Sequence, residues 1–491
     1  MSALQDYECV VGLECHVQLC TDTKLFSAAP NRYAAPPNTL LQQVDAGLPG
    51  SLPVLNSRVV DFAIRLGLAL QCDIQHTSEF ARKHYFYPDL PKGYQISQHE
   101  HPICRNGRLP LTQADGSIKH VLLERIHIEE DAGKNTHPQD SYYSYVDYNR
   151  AGAALLEVVT KPQLYSAQEA MQAVKSLRAI VMYLNICDGN MQEGSLRADV
   201  NVSVRKKGSH NMGTRTEIKN LNSIRFMGQA ITYESRRQVL QLQEGKPIEH
   251  ETRAWDDNRK ETRALRSKEQ QHDYRYFPEP DLPVLQLQPQ QLQRVQQNMP
   301  ELPEQKKQRL QTLGLSAYDA QLLIADKALV DYFEQALRSH NNPKALANWI
   351  LNELLRVTKQ HSTADTETHV GFTPPLSAEQ LAQLVKLLDN KTITTPIAKQ
   401  LLEELLKQPH LTPQQIVQQK GWQVQRDSGQ LQQIIQQVLQ DCPAELDKYL
   451  AGKTRVFGHM MGQVMQRSKG QADPQQARDC LQAALDQLKK S

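Results

Sequence analysis

The sequence predicts an α+β N-terminal domain with a mainly antiparallel sheet, followed by an all-α helical domain and a helical tail domain. Three observations support this prediction. The 491 residues are enough for about three domains, and a hydrophobic content of 40% is enough to build cores. Before about residue 290, period-two alternation recurs between loops that contain Gly and Pro, whereas the later pattern is helical almost throughout. We place the domains at 1–294, 295–410 and 411–491.

The N-terminal segment VGLECHVQL, residues 11–19, alternates apolar and polar residues and predicts a half-buried strand. Glu14 and His16 fall on its polar face. Residues two apart on a strand are separated by about 6.5–7 Å, so both side chains could reach one ion. An ordinary polar strand face is the alternative. The same alternation in RIHIEED, RADVNVSV and TRTEIKN predicts further strands.

Helix starts are marked by capping patterns. Ser166 with Glu169 forms a capping-box pattern and predicts a helix over about 166–184. Ser377 with Gln380 forms a second one. Four further starts combine an N-cap residue with a proline at the first helical position: Asn342-Pro343, Thr395-Pro396, Thr412-Pro413 and Asp473-Pro474. The stretch 361–372 is poor in apolar residues and is interpreted as a flexible connection.

The composition excludes several classes of protein. The first residues lack the pattern of a signal peptide and no apolar run is long enough to span a bilayer, so we expect a cytoplasmic protein with no membrane partner. The eight cysteines include no CxxC pair, which argues against a disulfide framework or a structural zinc site. The net charge of +2 is nearly balanced, so nucleic-acid binding must be argued region by region.

Several acidic residues have surroundings that suggest chemistry. Glu157 lies in the apolar run ALLEVV, where an unpaired carboxylate would be costly. His127, Glu129 and Asp131 share one strand face, and Asp199 lies on the polar face of another strand. For any one acid, a buried ion pair with arginine is as plausible as metal binding. Together, carboxylates and a histidine favour Mg²⁺ or Mn²⁺ over zinc.

Basic residues occur in blocks. Residues 204–237 contain eight Lys or Arg against two acids, and ARKHYFYPDLPKGYQ, 81–95, interleaves basic and aromatic residues in a way that suits phosphate contacts and base stacking. A solvated basic surface is the alternative. Gly133-Lys134 lies in EDAGKNT, which lacks the first glycine of a P-loop. An ATP site would therefore depend on a metal ion and scattered basic groups.

A set of blocks in this order resembles the GatB family of aspartyl/glutamyl-tRNA amidotransferase subunits: GLECHVQL, ARKHYFYPDLPKGYQISQ, IHIEEDAGK, VDYNRAGAALLEVV, MQEGSLRADVNVSVR, EIKNLNS and HDYRYFPEPDLP. GKTRVFGHMMGQVMQRSKGQADP, 452–474, resembles the helical tail of that family. The resemblance implies a cradle-like kinase domain and a heterotrimer with an amidase and a small subunit. It implies that ATP phosphorylates the side-chain carboxylate of Glu-tRNA(Gln) or Asp-tRNA(Asn), after which ammonia from glutamine attacks.

The resemblance also implies roles for individual residues. The expected Mg²⁺ ligands are Glu14, His16, Glu129 and Glu157. The expected catalytic residues are Glu129, Glu130, Asp199 and Lys83, and Glu129 and Glu130 could exchange roles. The expected ATP contacts are Arg82, Lys134 and Arg197.

Two parts of the chain bear on partner binding. Where the family is expected to have Ser-Glu-Pro-Asp, this chain has Thr160-Lys161-Pro162-Gln163 and so lacks two acids. The tail, 442–491, has eight basic residues against five acids, which by itself indicates only a mildly basic helical module. The resemblance implies that this tail binds the outer body of the tRNA. Its Gly458 and Gly462 are expected to permit close helix approach. Two other functions stay open from the residues alone: a non-catalytic tRNA adaptor with structural carboxylates, and a metal-dependent nuclease.

Overall fold

The computed structural model describes residues 6–113, 116–138, 142–267, 274–361, 372–424, 428–468 and 471–490. The chain divides into two compact units, Met1–Gln305 and Lys306–Ser491. The first is mixed α/β with a large, mostly antiparallel sheet, and the second is helical, which confirms the predicted fold class. The finer domain boundaries at 294 and 410 stay predictions.

The elements of the first unit follow the alternation that the sequence shows. Its strands are β1 (Tyr7–Gln18), β2 (Asp73–Ile74), β3 (Thr77–Ser78), β4 (Ala81–His84), β5 (Tyr94–Ser97), β6 (Cys104–Arg105), β7 (Arg108–Thr112), β8 (Ile118–Glu130), β9 (Lys134–Thr136), β10 (Tyr145–Asp147), β11 (Ala154–Thr160), β12 (Leu196–Lys206), β13 (Thr216–Lys219), β14 (Glu251–Asp256), β15 (Glu261–Ser267), β16 (Phe277–Pro278) and β17 (Leu285–Gln286). Its helices are α1 (Ser57–Ala69), α2 (Ala167–Tyr183), α3 (Ile224–Gln243) and α4 (Pro289–Gln297). The strands predicted from VGLECHVQL, RIHIEED, RADVNVSV and TRTEIKN are thus confirmed as parts of β1, β8, β12 and β13.

The large sheet has the strand order β15-β14-β13-β12-β1-β11-β8-β6-β2, with β7 also paired to β8. Of the described pairs in this sheet, only β13 and β14 run parallel. The long strand β1 lies at its centre, between β12 and β11. Distant segments of the chain therefore contribute neighbouring residues to one face.

Period-two alternation separates the two faces of the sheet. Leu13 and Val17 on β1 are buried in the main core, onto which α1, α2 and α3 also pack, whereas Glu14 and His16 point to the other face. The start of α2 is confirmed, because the Ser166 side chain accepts a hydrogen bond from the backbone N–H of Glu169.

The second unit is built from short amphipathic helices. After α5 (Pro303–Thr312), which crosses the boundary, the helices are α6 (Ala317–Ile324), α7 (Lys327–Ser339), α8 (Pro343–Asn348), α9 (Leu355–His361), α10 (Ala378–Asp389), α11 (Thr395–Lys407), α12 (Pro413–Lys420), α13 (Ser428–Asp441), α14 (Pro443–Leu450), α15 (Phe457–Arg467) and α16 (Pro474–Lys490). Within the described ranges, no helix is both long and apolar enough to cross a bilayer.

Most predicted caps of this unit are confirmed. The side chains of Asn342, Thr412 and Asp473 each accept a backbone N–H at the start of a helix, and Ser377 forms its capping box. The start at Thr395 is displaced by one residue, because Thr394 occupies the N-cap position of α11. Nearly all of the connection predicted at 361–372 lies outside the described residues.

The glycines of the tail do not have the predicted environment. A Cβ atom built at Gly458 or Gly462 would meet no described atom within 4 Å. Both glycines lie on the exposed side of α15, so close packing of another described helix is not what they permit.

Candidate active site

Three adjacent strands bring His16, Glu129 and Glu157 together, and we call these residues the trio. Pairing places His16 of β1 opposite Glu157 of β11, and Glu129 comes from β8 on the other side of β11. One ligand atom from each residue lies within 4.8 Å of the others. His16 Nε2 is 3.2 Å from Glu129 Oε1 and 3.6 Å from Glu157 Oε2. Three of the four predicted metal ligands therefore converge.

His127 is a member of this site that the sequence prediction did not include. Its Nε2 is 3.3 Å from Glu129 Oε2 and 3.2 Å from Glu157 Oε2, and its Nδ1 is buried without a hydrogen-bond partner. Burial alone would lower the pKa of His127, but the two carboxylates outweigh it and raise the pKa to about 9. The signal was present in the sequence, because alternation placed His127 on the same face as Glu129.

The carboxylates of the trio are stabilised in their charged forms. Burial would raise the pKa of Glu129, yet His127 and His16 hold that pKa well below its usual range. The pKa of Glu157 is also lowered, because the effect of His127 outweighs that of burial. The Ser97 hydroxyl donates a further hydrogen bond to Glu129 over 3.2 Å. The described hydrogen bonds and close ion pairs of the two carboxylates are thus with imidazoles and a hydroxyl.

Glu14, the fourth predicted ligand, lies beside the trio in a second polar group. It faces Asp199 across the β1–β12 pair and accepts a 2.9 Å hydrogen bond from the Asn201 amide. Lys219 Nζ lies 3.0 Å from Asp199 Oδ2 and 3.0 Å from Glu217 Oε1. Burial raises the pKa of Glu14, and Glu157 adds to the effect. The predicted site is therefore divided between two neighbouring groups.

Glu130 points away from the trio. Its carboxylate forms an ion pair with Lys92 and accepts a 2.8 Å hydrogen bond from the backbone N–H of Ile96. The geometry thus separates the two glutamates that the sequence could not rank: Glu129 joins the trio and Glu130 contacts Lys92. Their catalytic roles stay predictions.

A pocket of about 450 Å³ opens next to two residues of the trio, His16 and Glu129. Among its lining residues are His16, Glu129, Lys83, Arg197 and Asp199. The Lys83 ammonium is 5.0 Å from the centre of the Tyr274 ring, and Arg197 Nη2 is 3.0 Å from Asp131 Oδ1. Burial would lower the pKa of Lys83, but Glu129 raises it, which keeps the amine cationic. The lining of the pocket therefore combines carboxylates, such as Glu129, with the cations of Lys83 and Arg197.

Two predicted ATP contacts do not line this pocket. Arg82 donates to both Glu279 oxygens over 2.8 and 2.9 Å and also pairs with Asp281. Lys134 lines a separate depression, where Arg32 and Asp147 are among its neighbours. Of the three predicted contacts, the structure brings only Arg197 next to the trio.

The basic block 204–237 is less available for phosphate than its charge suggests. Arg205 pairs with Glu8, Arg237 with Glu234, and Lys219 with the acids of the second polar group. Glu8 and Asp199 lie outside the block, so a charge count within the block overstates its unpaired positive charge.

The chain matches known families along most of its length. A family model described as "GatB/GatE catalytic domain" matches residues 9–293, and one described as "GatB domain" matches 331–485. The GatB subunit of the aspartyl/glutamyl-tRNA(Asn/Gln) amidotransferase from Synechococcus sp. (strain JA-2-3B'a(2-13)) is 44% identical over 98% of both chains. The same subunits from Carboxydothermus hydrogenoformans and Geotalea daltonii are 43% and 46% identical, over 99% and 96% of this chain and 100% and 97% of theirs. The chain therefore belongs to the GatB family of aspartyl/glutamyl-tRNA(Asn/Gln) amidotransferase subunits.

Proposed function

We propose that this amidotransferase subunit uses ATP to phosphorylate the side-chain carboxylate of a glutamyl or aspartyl group esterified to tRNA. The observation that carries the proposal is the trio, of which His16 and Glu129 line a pocket that also contains Lys83 and Arg197. Phosphoryl transfer asks a protein mainly for positioning and for neutralisation of phosphate charge. A pocket with both a cation-binding group and fixed cations meets that requirement.

Phosphorylation gives the amidation a leaving group. A carboxylate cannot expel oxide at neutral pH, whereas an acyl phosphate can expel phosphate. The γ-phosphorus–oxygen bond of ATP breaks, a new bond forms to the substrate carboxylate, and ADP leaves. Ammonia then attacks the acyl carbon and phosphate departs with the electron pair of its bond. Lys83 and Arg197, which line the pocket, would bind and orient the phosphates during the first step.

The trio suits a hard divalent cation. Two carboxylates and one imidazole are ligands that Mg²⁺ and Mn²⁺ accept, and the two carboxylates are buried yet charged. We propose that His16, Glu129 and Glu157 hold Mg²⁺, with Glu14 and Asp199 beside them. The ion would supply neutralisation of the charge on the phosphate oxygens. His127 would orient the two carboxylates through its Nε2.

We propose that this chain works in a complex with an amidase, which releases ammonia from glutamine, and with a small subunit. The helical tail would bind the tRNA body. The pocket beside the trio would bind the aminoacylated end of the tRNA.

The test of the function is product formation by the assembled complex. With ATP, Mg²⁺ and an ammonia source, ADP release should require misacylated tRNA, because the side-chain carboxylate is the phosphoryl acceptor. Correctly charged Gln-tRNA is the matched control, since it lacks that carboxylate. Equal ADP release with both tRNAs, or amidation without ADP release, would contradict the proposal, and cleaved tRNA would indicate a nuclease instead.

Metal binding can be tested without the reaction. Saturating Mn²⁺ should raise the unfolding temperature of the chain by about 3–8 °C, because a ligand that binds only the folded state stabilises it. Glu157→Gln should remove most of this shift, whereas Glu8→Gln, at the far end of β1 and paired with Arg205, should keep it. The unfolding temperatures are measured by calorimetry. Equal increases with Mn²⁺ in the wild type, Glu157→Gln and Glu8→Gln would show that the ion binds elsewhere.

The adaptor alternative is favoured at Glu130, which pairs with Lys92, and at two further acids. Asp131 contacts both Arg150 and Arg197, and Asp199 contacts Lys219, as structural carboxylates would. The trio has no such lysine or arginine partner among the described ion pairs, so this alternative does not explain it.

A further inference from the structure

Two cysteines, Cys72 and Cys104, lie close together at one edge of the large sheet, and the proposed function uses neither of them. β2 and β6 are the last two strands of the sheet and pair antiparallel, with Ile74 opposite Cys104. Cys72 comes two residues before Ile74, so both cysteines lie on the same side of this pair of strands. Cys104 is also opposite Ile126 of β8, whose side chain is in the main core, so this side is the face turned away from the trio.

Two glycines leave room for the two sulfur atoms. A Cβ atom at Gly67 of α1 would lie 2.6 Å from Cys104 Sγ, and a Cβ atom at Gly107 would lie 2.5 Å from Cys72 Sγ. The carbonyl of Gly67 also accepts the backbone N–H of Cys72 over 2.8 Å. One residue of α1 therefore contacts both cysteines, and their thiols are hydrogen-bonded to each other.

The two thiols differ in their access to solvent. Cys72 is half-buried, whereas Cys104 is 0% exposed. The hydrogen bond with Cys72, together with burial, raises the pKa of the Cys104 thiol, so this thiol stays protonated and reacts poorly on its own. An oxidant that arrives from solvent therefore meets Cys72 first. An accessible cysteine next to a second one that can displace its oxidised form is typical of redox-sensitive sites.

We propose that Cys72 and Cys104 form a modification site that hydrogen peroxide converts into a reversible disulfide. In the first step the Cys72 sulfur attacks one oxygen of the peroxide, the O–O bond breaks, and a sulfenic acid and one water form. The Cys104 sulfur then attacks the Cys72 sulfur. An S–S bond forms, the S–O bond breaks, and the hydroxide leaves as water with the thiol proton of Cys104. Two thiols are oxidised and one peroxide is reduced to two waters, and a dithiol reverses the change by exchange.

The position of the site suits such a change. β2 and β6 are each two residues long, so few backbone hydrogen bonds oppose the small shift that brings the sulfurs to bonding distance. The disulfide would join the two ends of segment 72–104, which carries Lys83 to the pocket beside the trio. We expect it to stabilise this edge of the sheet, because it shortens the free loop in the unfolded chain. The inference does not depend on the proposed function.

The test is peptide mapping of the full chain after oxidation. The protein is treated with a modest excess of hydrogen peroxide, its remaining thiols are alkylated, and the unreduced digest is analysed by mass spectrometry. At least about half of the molecules should contain a peptide pair linked through Cys72 and Cys104, and dithiothreitol should remove the link. Hydrogen exchange of peptides from β2 and β6 should become about tenfold slower in the oxidised protein.

Variants establish the order of the two steps. Cys104→Ser should accumulate a Cys72 sulfenic acid, which dimedone traps, whereas Cys72→Ser should leave Cys104 as a thiol. Cys20→Ser, which removes an exposed cysteine near Asn185, should form the same link as wild type. The wild-type map decides the question even if a variant fails to fold. Oxidation of Cys72 without a link to Cys104, or oxidation of Cys20 with both of these thiols intact, would overturn the proposal.

Discussion

Glu157→Gln and Glu129→Gln should each lower tRNA-dependent ADP formation and amidation by about 10²- to 10³-fold, the loss typical of removing one preorganised charge from a site of this kind. Glutamine has nearly the same shape as glutamate but lacks its negative charge. Each variant would leave the proposed metal site with one carboxylate, beside the imidazoles of His16 and His127.

The controls distinguish lost chemistry from lost structure. Affinity for tRNA should change little in both variants, as measured by filter binding. Glu8→Gln should keep its activity, because Glu8 pairs with Arg205 at the far end of β1. Near-normal amidation by both trio variants at saturating Mg²⁺ would show that the trio does not hold the catalytic ion.

Local patterns in the sequence predicted local structure well. Alternation in VGLECHVQL separated Leu13, which is buried in the core, from Glu14 and His16, which face the site. Capping residues such as Asn342 marked helix starts because they satisfy backbone N–H groups within the same turn. These interactions involve residues that are close in the sequence, so the local sequence is enough to predict them.

The composition of the site depended on information that alternation does not contain. Arg82 and Lys83 are neighbours on β4 and must point to opposite sides, but nothing in the segment says which side faces the trio. Lys83 lines the pocket, and Arg82 instead meets Glu279 from a segment far along the chain. Glu14 also lies outside the trio because of its neighbours on another strand. Asp199 and Asn201 of β12 lie beside it, and alternation along β1 does not reveal them.

The alternation along β8 distinguishes the two adjacent glutamates, Glu129 and Glu130. With Ile126 and Ile128 on the buried face, alternation along β8 groups Glu129 with His127 and leaves Glu130 on the opposite face. The resemblance alone left the two glutamates open because they are adjacent in one block. The alternation that groups His127, Glu129 and Asp131 on one strand face therefore distinguishes the two glutamates and includes His127 in the site.

Glu234→Ala should cost about 3–5 kcal/mol in the free energy of unfolding of the first unit, because it removes a fully buried carboxylate and leaves the part-buried Arg237 and Arg253 with Glu251 as their remaining acidic partner. Glu234 lies on α3 with its side chain fully buried. Its carboxylate accepts two hydrogen bonds from Arg237, over 2.7 and 2.9 Å, and lies 3.6 Å from Arg253 Nε. Gln238 and Thr262 each donate another over 2.9 Å.

The position of these partners explains why the effect should be large and local. Arg253 lies on β14 and Thr262 on β15, so one carboxylate joins α3 to the edge of the large sheet. Glu234→Gln keeps an acceptor but removes the charge, and its loss should be smaller. Urea unfolding followed by circular dichroism gives the free energy of unfolding. Hydrogen exchange of peptides from α3 and β14 shows whether these elements are the ones that lose stability. Glu244→Ala, which removes an exposed pair with Lys246 beyond the same helix, should leave the midpoint unchanged. If Glu234→Ala unfolds at the wild-type midpoint, with unchanged exchange in α3, the buried network does not hold this edge of the sheet in place.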